Sequence, residues 1–271
     1  MRKILYTFLL LFSLSSFSQT ADVFLRKGIE AGNKKQYKVA ISYFNEALKI
    51  DPKNAQALYY KGLSLQNMGA FSGAIKFYTF SLEYLERGET YHNRAYCLSK
   101  IFQDSLAIID LSKAIEMDGE NIKYLKTRIN IYRKTNQYDL MLKDIDTYLD
   151  RAPNNFSMKA NKAVVLTLLN KPKEAIVIYR ELLKQKPKEK KLYYGVSRLY
   201  LSLEKFDVAI SNINKAIALD SQYTKAYLLK SKILKDSGEK EAACITLDKA
   251  AKLGADIQDE TYQEILKYCK N

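Results

Sequence analysis

The chain has 271 residues, with 44 Lys and Arg against 30 Asp and Glu, and a formal net charge of +14. Apolar residues make up 47% of this globular composition, and a single His leaves little room for the usual zinc sites or His-dependent hydrolytic triads. Because 10 Gly and 4 Pro are too few for a turn-rich β fold, the composition predicts a mostly helical protein.

The first predicted element is a secretory signal peptide. Arg2 and Lys3 precede an apolar run over residues 4–14, and the small residues Ser16 and Ser18 follow it. This run is far shorter than the roughly 20 residues of a membrane-spanning helix, so a cleaved signal is favoured over the alternative, an uncleaved anchor. We predict cleavage after Ser18, a periplasmic or extracellular location, and no transmembrane segment after cleavage.

One sequence position recurs along the rest of the chain every 34 residues, with a single interval of 33. It is occupied by Ala40, Ala74, Ala107, Met141, Ala175, Ala209 and Ala243. A bulky residue follows four positions later and another helix-face residue three positions after that, as in Phe44 and Ala47 of the first unit. Steps of four and three place these residues on one helix face, so the period predicts a repeated, closely packed helix.

Each period is predicted to contain two helices. Prolines at Pro52, Pro153 and Pro187 follow the recurring position by twelve residues and end a unit, because proline cannot continue a helix. Short breaks at residues 67–69 and 236–238 separate the two helices within a unit. The pattern therefore predicts a series of helix hairpins.

These features resemble the tetratricopeptide repeat, a helix–turn–helix unit of 34 residues. In the first unit the signature positions of the family are occupied by Gly28, Ala31, Tyr37, Ala40, Phe44, Ala47 and Pro52. The resemblance implies an all-α fold, a right-handed superhelical α-solenoid, and is preferred to the alternative of an unrelated helical bundle. It places seven repeats at about residues 21–54, 55–87, 88–121, 122–155, 156–189, 190–223 and 224–257.

The third and fourth repeats depart most from the family pattern. Asp104 stands where an aromatic residue is usual, Gly119 where proline is usual, and Met141 where the central alanine is usual. These departures concern the local packing of the third and fourth repeats.

The last stretch, residues 259–270, is predicted to be one more amphipathic helix. Its apolar residues Tyr262, Ile265, Leu266 and Cys269 follow steps of three and four. It resembles the capping helix that covers the exposed face of a last repeat. The predicted organisation is a cleaved signal peptide, residues 1–18, and a solenoid over residues 19–271.

The resemblance implies that the protein binds extended peptides or helices of partner proteins in a concave groove and has no catalytic activity. The sequence contains no Gly-rich phosphate loop, metal-ligand spacing or serine elbow. His92 lacks a nucleophile placed beside it by a recognisable motif, so it is interpreted as a groove or surface residue. We therefore predict a non-enzymatic scaffold without catalytic residues, metal or cofactor.

The family positions that usually face the groove predict its chemistry. An apolar and aromatic end is expected from Leu25, Ile29, Tyr59, Tyr60 and Leu63. The later units are expected to add Tyr96, Lys100, Lys123, Lys126, Arg133, Lys134, Lys191, Tyr194, Arg198, Lys225, Lys232 and Lys235. Because a concave surface focuses potential, this basic set predicts an acidic or carboxylate-bearing peptide ligand; the alternative is that these lysines only solvate helix faces.

One set of residues resembles the carboxylate clamp of chaperone-binding members of the family. Lys126, Asn130, Asn161 and Lys191 occupy the positions that hold a C-terminal carboxylate there. Lys and amide donors suit that role because they form charge-assisted hydrogen bonds to carboxylate oxygens. The arginine of the clamp is absent, since its position is Gly195, and Arg198, nearly one turn away, is a candidate substitute.

The cysteines are predicted to fall into two classes. The capping helix should place Cys269 near Cys244 of the last repeat, so a disulfide between them is possible in an oxidising compartment. The alternative is a pair of buried thiols, the state also expected for Cys97.

Two other functions remain open. The charge and the 21 Tyr are compatible with a nucleic-acid-binding helical repeat, but no regular code of two or three base-reading residues per repeat is present, and nucleic acid is an unlikely partner for an exported protein. The chain could also be a regulatory module of an envelope enzyme or secretion complex.

Overall fold

The computed structural model describes residues 20–256 and 258–270. The predicted signal peptide, residues 1–18, lies outside the described residues. Within them the chain forms helices and no strand, which confirms the predicted all-α fold of repeated helix hairpins. No helix in this part of the chain is both long and apolar enough to cross a membrane.

Seven pairs of helices follow one another along the chain, each pair joined by a short turn and called a hairpin, and a last helix ends the described chain. They are α1 (residues 20–33) with α2 (Tyr37–Ile50), α3 (Ala55–Asn67) with α4 (Phe71–Tyr84), α5 (Gly88–Lys100) with α6 (Asp104–Met117), α7 (Ile122–Lys134) with α8 (Tyr138–Arg151), α9 (Phe156–Leu168) with α10 (Pro172–Gln185), α11 (Lys190–Ser202) with α12 (Phe206–Leu219), α13 (Thr224–Asp236) with α14 (Lys240–Lys252), and α15 (Glu260–Lys270).

The chain divides into two compact units between Asn136 and Gln137, in the turn that joins α7 to α8. The first unit contains α1 to α7 and the second contains α8 to α15. Within each unit the first helices of successive hairpins touch, α3 with α5 and α5 with α7 in the first, α9 with α11 and α11 with α13 in the second. These first helices therefore share one face of their unit.

The recurring alanine permits close packing between the two helices of a hairpin, as the first hairpin shows. Ala40 and Ala47 are fully buried on α2, on either side of the buried ring of Phe44. A Cβ atom built on Gly28 would lie 2.4 Å from Cε1 of Phe44. Only glycine fits at that position, because any side chain there would displace a ring in the core.

In the third hairpin, hydrogen bonds and ion pairs between helices add to the apolar packing. Arg94 of α5 donates two hydrogen bonds of 2.7 Å to the buried carboxylate of Asp110 on α6, and its Nη1 donates to Thr79 of α4 at 3.0 Å. Asp104, which replaces the usual aromatic residue, accepts from Ser99 Oγ at 2.7 Å and pairs with Lys134 at 2.8 Å. The departure at Asp104 therefore links α5, α6 and α7 through polar contacts.

The last helix, α15, packs on α13 and α14. Tyr262 and Ile265 of α15 are buried against Leu247 of α14, and this matches the apolar spacing of the predicted cap. A disulfide joins Cys244 of α14 to Cys269 of α15, with their Cα atoms 5.7 Å apart. Apolar contact and a covalent bond together hold this helix on the last hairpin.

Candidate partner-binding surface

The residues predicted to form the apolar and aromatic end of the groove lie mainly in the core of the first unit. Leu25 is buried and Tyr59 is only 9% exposed, and the Tyr59 hydroxyl accepts a hydrogen bond of 3.0 Å from Asn93 Nδ2. Tyr60 packs its ring 5.1 Å from that of Tyr59, while Ile29 is partly buried against the same core. These side chains stabilise the hairpins and offer little surface to a ligand.

Tyr96 is the predicted groove aromatic that the first unit exposes. Its side chain is 39% exposed, and its ring centroid lies 6.3 Å from that of Phe71. The ammonium group of Lys100 lies 5.2 Å from the Tyr96 ring, close enough for a cation–π contact.

His92 occupies a partly buried place between α5 and α7. Its Nε2 lies 2.9 Å from Thr127 Oγ1, and the Thr127 hydroxyl donates to the carbonyl oxygen of Lys123. Because that hydroxyl has one proton, Nε2 is the donor to Thr127. Burial lowers the pKa of His92 below its ordinary value. This arrangement makes His92 a hydrogen-bonding residue between repeats.

The basic residues of α7 have different surroundings. Lys123 and Lys126 are exposed. The Arg133 guanidinium donates to Asn130 Oδ1 at 2.9 Å, along the same helix. Lys134 has Asp104 as its ion-pair partner and lies 4.8 Å from the ring centroid of Phe102. The charge of Lys134 is therefore already balanced by the preceding hairpin.

The second unit contains a cavity of about 590 Å³ between α9, α11 and α13. Five predicted groove residues line it: Asn161, Lys191, Tyr194, Arg198 and Lys225. Its apolar wall includes Phe156, Ala160 and Val164, and its other polar residues include Lys186 and Tyr223. The sequence prediction thus located part of a real concavity.

A second cavity of about 490 Å³ adjoins the first. The two share Tyr194, Arg198 and Lys225, and the second adds Lys232 of α13 and Asp259, which precedes α15. We call the surface formed by the residues of both cavities the basic trough. It runs from α9 to the segment that begins α15.

Three cations of the basic trough differ in their ion pairing from three lysines that flank it. Outside the trough, Lys159 pairs with Glu181 at 2.9 Å, Lys162 with Asp146 at 2.7 Å, and Lys190 with Asp220. Inside it, Lys191, Arg198 and Lys225 have no carboxylate within ion-pair distance among the described residues. The charges of Lys191, Arg198 and Lys225 are therefore uncompensated within the concave surface, whereas these three flanking lysines are neutralised.

Two acidic residues of the basic trough accept hydrogen bonds from backbone N–H groups in the first turn of a helix. Glu189 Oε1 accepts from the backbone N–H of Lys191 at 3.3 Å, and Asp259 Oδ1 accepts from that of Tyr262 at 3.2 Å. Acidic side chains are favoured at such positions, where backbone N–H groups lack helical partners. Both carboxylates therefore have a local structural role.

The trough also contains tyrosines that stay neutral. Burial raises the pKa of Tyr223 to about 12 and that of Tyr179 to about 12, and it raises the pKa of Tyr194 as well. Neutral phenols can donate a hydrogen bond to an anionic ligand without adding negative charge.

The residues of the predicted clamp fall in both units. Asn161 and Lys191 line the same cavity of the second unit, while Lys126 and Asn130 lie on α7 of the first. A Cβ atom on Gly195 would lie 2.5 Å from the hydroxyl oxygen of the buried Tyr179, so this helix has no room for an arginine there. A clamp of all four residues stays a prediction.

Several trough residues were not predicted from the sequence. Phe156 and Tyr223 lie at the edges of their repeats, Lys186 follows α10, and Thr261 belongs to the capping helix. The Lys186 ammonium group lies 4.3 Å from the Phe156 ring centroid, a contact between the first residue and the last turn of the fifth repeat. An aromatic residue at a repeat edge is the available signal, but the family's groove positions lie only within the first helices of the repeats.

Cysteine chemistry is confined to the last two helices. The disulfide between Cys244 and Cys269 closes there, whereas Cys97 is buried in the first unit as a free thiol. Burial raises the pKa of Cys97 to about 12, so it is an unreactive thiol. In the described part of the chain, no group of three or more His, Cys, Asp or Glu could hold a metal ion.

Comparison with known protein families identifies three of the hairpins. The family profile described as "Tetratricopeptide repeat" matches residues 21–54, 191–223 and 224–255. The chain contains tetratricopeptide repeats. The matched segments are the first, sixth and seventh of the predicted repeats. Between these segments, first helices also touch within each unit, α3 with α5, α5 with α7, and α9 with α11.

Named relatives share parts of this repeat protein. It is 33% identical to rat "Sperm-associated antigen 1" over 95 residues, which are 35% of this chain but only 11% of the relative. It is 24% identical to the "Hsp70-Hsp90 organizing protein" of Triticum aestivum, over 89% of this chain and 40% of the relative. The chain thus spans less than half the length of either relative.

Solved structures show the same fold over most of the chain. A tetratricopeptide repeat protein from Parabacteroides merdae aligns with a TM-score of 0.66 and 22% identity, covering 93% of this chain and all of that one. The C-terminal part of a TPR repeat-containing protein from Cytophaga hutchinsonii aligns with a TM-score of 0.68 and 14% identity, covering 89% of this chain and 99% of that one. At these identities the similarity establishes the tetratricopeptide-repeat fold alone.

Proposed function

We propose that this tetratricopeptide-repeat protein is a non-enzymatic scaffold that binds an acidic segment of a protein partner in the basic trough. The observation that carries the proposal is the uncompensated charge of Lys191, Arg198 and Lys225, which lies in a concave surface while neighbouring lysines are ion-paired. A concave surface of one charge sign concentrates ligands of the opposite sign.

The uncharged part of the trough supports a peptide as the ligand. Phe156, Ala160 and Val164 form an apolar wall beside Asn161 and Lys191, so apolar and acidic side chains can be bound side by side. The wheat relative is named for organizing Hsp70 and Hsp90, and that name supports a role with protein partners.

The proposal also includes the location of the protein, which is expected to be exported. The predicted signal peptide, residues 1–18, would direct the chain to the periplasm or outside the cell. The disulfide between Cys244 and Cys269 supports this location, since disulfides persist in oxidising compartments. The proposed partner is therefore a protein that carries an exposed acidic segment in such a compartment.

The test uses a fluorescein-labelled oligoglutamate peptide with blocked ends and measures its affinity by fluorescence anisotropy. Replacing Lys191, Arg198 and Lys225 together with Ala is expected to weaken binding about tenfold, since each exposed charge contributes a fraction of a kcal/mol. The affinity of the unaltered protein should also fall as salt is raised, because exposed charges are screened.

A matched control removes the same net charge elsewhere in the second unit. Lys173, Lys184 and Lys205 are exposed and lie outside the trough, so their joint replacement with Ala should leave affinity nearly unchanged. If both triple variants lose affinity equally, bulk charge explains binding and the assignment to the basic trough is wrong. An oligoglutamine peptide of equal length should not bind.

A further inference from the structure

The segment that begins and forms α15 reaches the basic trough. Asp259 and Thr261 form part of the wall of the second cavity, opposite Lys225 and Lys232 of α13. One helical turn further on, Glu264 extends toward the same helix, with Oε1 2.5 Å from Lys235 Nζ and Oε2 3.8 Å from Lys232 Nζ. The trough thus ends where this protein supplies its own carboxylate.

The contact is that of a charged pair. The hydrogen bond from Lys235, together with the charge of Lys232, holds the pKa of Glu264 below its ordinary value. The same hydrogen bond raises the pKa of Lys235. Glu264 is therefore a carboxylate near neutral pH. Asp236 of α13 also lies 3.5 Å from Lys235 Nζ and 3.6 Å from Lys232 Nζ, so Glu264 is the partner that α15 adds to these two predicted groove lysines.

Two buried side chains and one disulfide hold α15 on the last hairpin. Its buried side chains are Tyr262 and Ile265, packed on Leu247 of α14. The disulfide at Cys269 then ties the end of the helix to Cys244. A tethered carboxylate has a high effective concentration at its site, even when the contact itself is weak and partly exposed.

We propose that α15 is an internal competitor for the acidic ligand, with Glu264 in the place of a ligand carboxylate at the α13 end of the basic trough. This inference rests on the function proposed above. In the free protein, Glu264 holds Lys232 and Lys235; a ligand long enough to reach them must displace its side chain. Ligand binding is weakened by that exchange, and short acidic segments are confined to Lys191, Arg198 and Lys225.

The experiment compares Glu264→Gln with Glu260→Gln in the full chain, using the labelled oligoglutamate peptide. Both substitutions remove one negative charge from α15, but Glu260 is exposed at the start of the helix and forms no ion pair with Lys232 or Lys235. Competition predicts that Glu264→Gln binds about threefold more tightly than Glu260→Gln, the size expected for one exposed ion pair.

A second test introduces Glu264→Gln into a variant that lacks both lysines. With Lys232 and Lys235 both changed to Ala, Glu264→Gln should no longer alter affinity, because its partners are gone. If Glu264 only fastens the cap, Glu264→Gln will lower thermal stability without tightening binding relative to Glu260→Gln, and the inference is overturned. If the peptide binds none of the variants nor the unaltered protein, the proposed function itself fails.

Discussion

At the scale of single residues, the turns inside the hairpins repeat one backbone conformation. A residue with positive φ occurs at Lys35, Gly69, Phe102, Asn136, Asn170, Glu204 and Gly238. Glycine and asparagine suit this left-handed region, whereas a bulky residue is strained there. Phe102, with φ of 63° and a side chain 82% exposed, is the clearest exception.

We predict that Phe102→Asn stabilises the protein. The strain of a left-handed phenylalanine is relieved, and little buried surface is lost, so the free energy of unfolding should rise by about 1 kcal/mol. Urea unfolding followed by circular dichroism measures the change. The reverse substitution, Asn170→Phe, places the ring in an equivalent turn and should destabilise by a similar amount.

A lower stability for Phe102→Asn would contradict this account. It would mean that the contact between the Phe102 ring and the Lys134 ammonium group, 4.8 Å apart, outweighs the backbone strain.

At the scale of helices, two glycines differ in how closely other side chains pack against them. Gly195 of α11 faces the buried Tyr179, and Gly73 of α4 has Leu65 Cδ1 as its nearest neighbour, 3.5 Å from an ideal Cβ. Gly195→Ala is expected to destabilise the protein by about 1–3 kcal/mol, since the ring must move in a packed core. Gly73→Ala should be neutral or stabilising by up to about 1 kcal/mol, because alanine is the better helix former.

Thermal and urea unfolding of the two variants test this pair. Equal stabilities would show that the Tyr179 ring moves away at little cost. In that case Gly195 would no longer explain why the clamp arginine is missing from α11.

The helices themselves were predictable to a large degree. The spacing of Ala40, Phe44 and Ala47 indicates one buried face of α2, and the same spacing is repeated along the chain. The roles of Arg94 and Asp104 were not predictable, because each depends on a partner in another helix that the local pattern does not specify.

At the scale of the whole molecule, the chain has one histidine, so the change in its stability between about pH 7 and pH 5 is expected to come chiefly from His92. Burial lowers the pKa of His92 in the folded state, while Asn93 and Glu89 oppose this shift and Lys123 adds to it. The unfolded chain therefore binds the proton more tightly. Stability should be full above the ordinary pKa of 6.5 and should decrease as pH falls through that value toward the lower pKa of the folded state.

Urea unfolding at a series of pH values measures this decrease, and NMR titration of the single imidazole measures its pKa. His92→Gln keeps a hydrogen-bond donor for Thr127 but has no proton to gain, so its stability should change less over the same interval. An imidazole pKa at or above 6.5 would contradict the prediction.

The amino-acid sequence by itself determined the repeat, because helix periodicity and the alternation of small and large side chains are local properties. It also identified Asn161, Lys191, Tyr194 and Arg198 as members of one surface, since equivalent positions of stacked hairpins face the same way. Only the tertiary structure decided which charges are uncompensated. Lys134, Lys232 and Lys235 find carboxylates on other helices, whereas Lys191 does not, and ion pairing across helices depends on distances in space rather than on position along the chain.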